Sequence, residues 1–231
     1  MKKLSAILAF VLVLLTFTAC GSAGYEKVIK AQYDAILEGD ADAYMACFAN
    51  EAYVEYLIDE FEEDELEDEK DVQKKYKESV KDSLEYWEDD KIKRDDYEYD
   101  GLGLGKNIKV DIEVLDTVTF EKDDIALFAE YLEEKYDYDK ETVQDVVVVN
   151  YILRRTGEDG YDRTEVSKVV IKIDGTWYIS EDFSSIPAYL VPTAVMDAIV
   201  GGIDGLDGEK HDLANAIDGL NEKIYGYNYN Y

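Results

Sequence analysis

The sequence predicts an α+β fold: N-terminal helices packed on an antiparallel sheet of about four strands, with a partly helical or disordered C-terminal extension. Apolar residues recur at three- and four-residue spacing between Tyr25 and Trp87, the repeat of helices that bury one face. From Ile108 the period shortens to two, as in strands. Asp174-Gly175 lies between two such runs. Both central positions of a tight primed turn need positive φ, so a closing hairpin is expected there.

The chain begins with Lys2 and Lys3, then an apolar run from Leu4 to Phe17 broken mainly by Ser5 and Thr16, then Thr18, Ala19 and Cys20. A basic start, a short apolar middle and small residues before a cut form the layout of a secretory signal. The run falls short of the roughly 20 apolar residues of a permanent transmembrane helix. With a cysteine at the junction, the stretch resembles a bacterial lipoprotein signal. That resemblance implies cleavage before Cys20, diacylation of its sulfur and acylation of the new N-terminus. It also implies a lipid-anchored position on the extracellular face of a bacterial membrane, of the Gram-positive type. Two or more acyl chains hold a protein stably where one binds marginally. Phe17 stands where that motif prefers leucine. The alternative is an ordinary cleaved signal that merely retains Cys20. Residues 1–19 are the expected signal peptide, and 20–24 the lipidated cysteine and its tether.

Val28, Ile29, Tyr33, Ile36 and Leu37 share one helical face, and Gly39 is the expected C-terminal cap. Asp40 or Asp42 can cap a second helix carrying Tyr44, Met45, Cys47 and Phe48. The pattern breaks briefly around Asn50 before Tyr53 to Phe61, and Glu62 to Glu69 is an acidic run suited to an exposed helix start or a loop. Val72, Tyr76, Val80, Leu84 and Trp87 then mark a clean amphipathic helix.

Glu88 to Asp100 is read as a charged, tyrosine-rich connection, followed by Gly101, Gly103 and Gly105. Ile108, Val110, Ile112 and Val114 alternate with Lys109, Asp111 and Glu113 in a strand that reaches Phe120. A short helix capped by Asp123 is expected to run through Leu132. Val146 to Leu153 is too apolar to be exposed on either face, which marks a central strand. A loop over Thr156 to Asp162 leads to strands Thr164–Ile173 and Thr176–Ser180. Residues 183–231 form the expected extension. Thr193 can cap a short helix there, an Ile-Asp-Gly-Leu echo recurs at 203 and 217, and a Tyr/Gly/Asn tail closes the chain.

The 231 residues carry 54 acidic against 24 basic side chains, a net charge of −30 that falls to near −32 once Lys2 and Lys3 leave. Such a chain repels phosphate backbones and anionic headgroups. Nucleic acid is therefore excluded, and the membrane is reached through the lipid anchor only. Cationic or envelope-protein partners suit this charge. With Cys20 acylated, Cys47 has no intramolecular partner, and one histidine, His211, leaves too few ligands for a Cys/His zinc site.

Three features together resemble the NTF2-like (SnoaL-like, cystatin-like) superfamily over residues 25–182. They are the opening helix running through Glu38-Gly39-Asp40-Ala41-Asp42-Ala43-Tyr44 into a second helix ending near Phe48, the later antiparallel strands, and the hairpin Val169 to Ile179 around Asp174-Gly175-Thr176-Trp177. The resemblance implies a strongly bent sheet wrapping helices into a cone whose mouth can hold a ligand. The helix from Val72 to Trp87 and the tail after Phe183 depart from the minimal pattern. Enzymes of that family commonly place Asp and His in the cone, and this domain has no His. No catalytic, metal or cofactor residue is therefore assigned. The expected role is non-enzymatic binding of a small ligand or an envelope protein, with an isomerase or hydrolase of SnoaL-like kind as an alternative.

Calcium binding through acidic loops is the other alternative. Asp96, Glu98, Asp100 and Gly101 match the first half of a calcium loop, but Asn107 stands where a bidentate Glu is needed. Asp204, Asp207, Glu209 and Asp212 are a weaker set of the same kind. Gly101, Gly103, Gly105 and Lys106 superficially suggest a phosphate loop, yet acid precedes them and a strand follows, which is the wrong context. Tyr97/Tyr99 and Tyr136/Tyr138 offer rings for stacking on sugars or a protein, beside the plainer reading of a tyrosine-rich core.

Overall fold

The computed structural model describes residues 24–48, 51–60, 68–94, 97–120 and 122–180. Helix α1 spans Gly24–Glu38, α2 Ala41–Met45, α3 Glu51–Glu60 and α4 Glu69–Glu88. Strands β1 (Lys91–Arg94) and β2 (Tyr97–Asp100) form a two-stranded sheet. Strands β3 (Lys109–Thr119), β4 (Val143–Thr156), β5 (Tyr161–Ile173) and β6 (Thr176–Ile179) form a four-stranded antiparallel sheet in sequential order. Helix α5 (Lys122–Tyr136) and a 3₁₀ turn (Lys140–Thr142) connect β3 to β4. The architecture is α+β, as expected.

The local signals act as the residues demand. Gly39 takes φ +69, and the bonds Gly39 N–H to Ile36 O (3.2 Å) and Asp40 N–H to Ala35 O (2.9 Å) close α1 in a Schellman motif. Asp40 then caps α2, its carboxylate accepting from the Ala43 N–H. The acidic run ends usefully: Asp68 accepts from Lys70 and Asp71 N–H while Asp71 accepts from the Asp68 N–H, a reciprocal box that starts α4. Asp174 and Gly175 have φ +48 and +82, the two positive angles of a type I′ turn.

Two expectations are corrected. Glu88 to Asp100 is not an irregular connection but holds the β1–β2 hairpin, registered Lys91 to Asp100 and Lys93 to Glu98. Opposite charges face each other across the hairpin in place of an apolar alternation, and Ile92 alone of β1 is buried. Asp123 is not the cap of a short helix. It lies in the first turn of α5, which is 15 residues long, where its charge still complements the helix dipole. The expectations for residues 183–231, including the short helix at Thr193, lie outside the described residues.

Alternation along the paired strands sorts the sheet into two faces. Val114, Tyr151 and Val166 are cross-strand partners on one face, as are Val110, Arg155 and Asp162. This face meets α1, because the Tyr33 and Tyr151 hydroxyls touch at 2.7 Å and Tyr25 packs edge-on against Trp177. The other face carries Asp111, Arg154 and Arg163 at one end, and Val118, Val148 and Val169 at the other. β4 has neighbours on both sides and is buried from Val146 to Leu153, as its composition requires.

Candidate functional site

The space between α1, α4 and the sheet is where a ligand site would be sought, and it is filled by side chains. Tyr33, Trp87 and Tyr151 are all at most 6% exposed. The Tyr33 ring lies 6.1 Å from Trp87 and 6.4 Å from Tyr151. The two phenols satisfy each other by one hydrogen bond, so neither needs water. Burial pushes the Tyr33 phenol up to about 12 and that of Tyr151 well above its ordinary range.

Beside this pair, Arg155 lies 5.3 Å over the Trp87 ring and donates to Asp162 and Thr164. A buried guanidinium needs such a partner to offset lost hydration. The Arg155–Asp162 pair is thus spent internally, between cross-strand partners beside the β4–β5 turn. A second aromatic cluster joins α3 to α5: Tyr136 meets Tyr53 at 5.2 Å and Tyr56 at 4.7 Å, both edge-on. Between Phe48, Tyr53, Tyr136, Tyr138 and Ile171 only about 10 Å³ remains open, at the lower limit for one water.

The described buried polar side chains are Gln32, Asn150, Arg155, Ser167, Lys168 and Ser180, with no carboxylate among them. Asp145 is half-buried, and its Oδ1 is shielded without a hydrogen-bond partner among the described residues. Cys47 is buried, donates to the Ala43 carbonyl at 3.3 Å, and burial raises its thiol to about 12, so it packs as a small hydrophobe.

Residues singled out from the sequence are dispersed. Glu98 and Asp100 of the calcium-loop pattern are strand residues paired with Lys93 and Lys91. Asn107 donates to Glu158 rather than approaching them. Among the described residues no cluster of three or more His, Cys, Asp or Glu is placed to hold a metal. Cys20, Asp96, His211 and the acids from Asp204 to Asp212 lie outside the described residues. Tyr97 is 79% exposed and Tyr99 partly so, whereas Tyr136 and Tyr138 belong to the core.

The glycine segment has a structural task that its resemblance to a phosphate loop concealed. The N–H groups of Leu102, Gly103, Leu104 and Gly105 donate to the carbonyls of Tyr86, Asp89, Trp87 and Glu88, covering the open C-terminal end of α4. Gly103 and Gly105 adopt positive φ to allow it. Gly157, at the β4–β5 turn, lies so close to the Leu104 carbonyl that any side chain would collide. These amides serve helix carbonyls, and no phosphate is called for.

Comparison of the chain with models of known protein families and with curated proteins, and of its structure with solved structures, finds no match. Among the described residues no helix is long and apolar enough to cross a membrane.

Proposed function

We propose that this protein is a lipid-anchored, non-enzymatic domain of the bacterial cell surface that works by binding another envelope protein. In this reading Cys20 carries the lipid and the domain is an NTF2-like cone with its interior closed. The observation that supports a surface role over a pocket role is the filled interior: Tyr33, Tyr151 and Trp87 occupy the place where a ligand or substrate would sit. No carboxylate stands among the fully buried polar side chains of the described residues, which favours the binding role over an SnoaL-like reaction that would need such a base.

The anchor is tested by metabolic labelling with a clickable fatty acid. Label on the wild-type chain that disappears in Cys20→Ala supports the assignment. An unlabelled wild-type chain, or undiminished label in Cys20→Ala, rejects it.

A further inference from the structure

The four-stranded sheet ends in two unlike edges. At β6 the strand has four residues, and its Ile179 N–H is already donated to the Cys47 carbonyl at 2.7 Å. At β3 the edge is 11 residues long, and its only strand neighbour among the described residues is β4. In an antiparallel ladder every second residue of an edge strand directs its N–H and C=O outward. A long edge of this kind is a template for another strand unless it is covered or blunted.

Among the described residues, a bulge blunts β3 at one place. The register shifts between Val114 and Asp116, which leaves Leu115 as an extra residue, 46% exposed. Before that bulge, Lys109 to Val114 is regular, with exposed positions alternating with half-buried ones. Val110, Ile112 and Val114 pack on the core from the helix side yet keep part of their surface open. Asp111 and Glu113 stand on the opposite face and are exposed, held from the inner side by Arg154 of β4.

From this we propose that Lys109–Val114 is a docking edge for an extended segment of a partner protein, one that alternates apolar and basic residues. Main-chain bonds to this edge give the affinity, and alternate side chains give the choice of partner. Apolar residues of the added strand continue the face of Val110, Ile112 and Val114. Lys or Arg on its other face lie opposite Asp111 and Glu113, whose one ion-pair partner among the described residues, Arg154, lies on the inner side. A second copy of this chain is the wrong occupant, since each carries a net charge of −30 and would oppose acid to acid. The proposal rests on the protein-binding role above and names its surface; its test does not depend on the Cys20 label.

The test uses the full chain in detergent micelles and two fluorescent octapeptides of identical composition. One alternates Val and Lys; the other places its four Val before its four Lys. Peptide anisotropy is read together with hydrogen exchange of the protein amides. The alternating peptide is expected to bind more tightly and to slow exchange within Lys109–Val114. The double variant Asp111→Lys/Glu113→Lys is expected to bind it at least about tenfold more weakly, because two favourable cross-strand pairs become repulsive. The same variant should gain binding of an alternating Val/Glu peptide, an outcome misfolding cannot imitate. Equal binding of the two Val/Lys peptides, or protection elsewhere than Lys109–Val114, overturns the proposal. So does no binding at all, or self-association of the protein that protects the same amides.

Discussion

The four-stranded sheet and the β1–β2 hairpin are both antiparallel, yet opposite forces hold them. β4 and β5 present Val147, Val149, Tyr151 and Val170 to the interior, all at most 2% exposed, and burial supplies their stability. In the hairpin, Lys91 faces Asp100, Lys93 faces Glu98, and Arg94 reaches Asp82 on α4. Those charges are solvated, so each pair contributes little. The hairpin is held instead by Ile92 beneath it and by the glycine segment that returns from it across the end of α4. The contrast teaches that in so acidic a chain the same strand geometry reports a rigid core in one place and an adjustable surface in the other.

Substitutions can break or sharpen this contrast, and the largest effects are expected in the core. Tyr151→Ala removes a fully buried ring and leaves the Tyr33 hydroxyl unpaired; a loss of about 4 kcal/mol in urea unfolding is expected. Gly101→Ala drives a methyl group into the Asp89 and Tyr86 carbonyls at the end of α4. About 2 kcal/mol should be lost by the same measurement. Tyr33→Phe keeps the ring but orphans the Tyr151 hydroxyl, which should cost about 1–2 kcal/mol. Lys91→Ala, at the exposed end of the hairpin, should leave the melting temperature unchanged within error. If Lys91→Ala destabilised as much as Tyr33→Phe, the division between buried sheet and solvated hairpin would be wrong. Millimolar calcium should give neither heat in calorimetry nor a shift in melting, since Glu98 and Asp100 are already paired with lysines.

Much of the sheet and helix layout was legible because it depends on local chemistry. The heptad-like run from Val72 to Trp87, the cap at Asp40 and the turn at Asp174-Gly175 each carry their cause within a few residues. The hairpin was not legible, because Lys91-Ile92-Lys93-Arg94 has a single apolar residue and so no alternation to mark a strand. The interior was not legible either. Tyr33 and Tyr151 are 118 residues apart, and nothing near either tyrosine announces the other. Trp87 and Arg155 meet only because the strand face and the end of α4 converge. The glycines misled by composition: their spacing fits a phosphate loop, while their amides serve helix carbonyls.

The filled interior also sets the response to alkali. Tyr33 ionises near 10.0 in an unfolded chain and at about 12 in the folded one. The folded state therefore holds this proton more tightly, and the stabilisation is complete below pH 10 and lost as pH climbs toward 12. Burial raises Tyr151 and Cys47 in the same direction, so alkaline unfolding should steepen across this window.

The most direct test is carbon NMR of the chain labelled at tyrosine Cζ, with Tyr33 and Tyr151 assigned from their Phe variants. A closed interior requires both phenols to stay protonated while the chain is folded between pH 10 and 12, and to ionise only as it unfolds. Reversible ionisation of either near 10.0 in the folded chain would mean that water enters the interior, and would return the molecule to the class of open, ligand-holding domains.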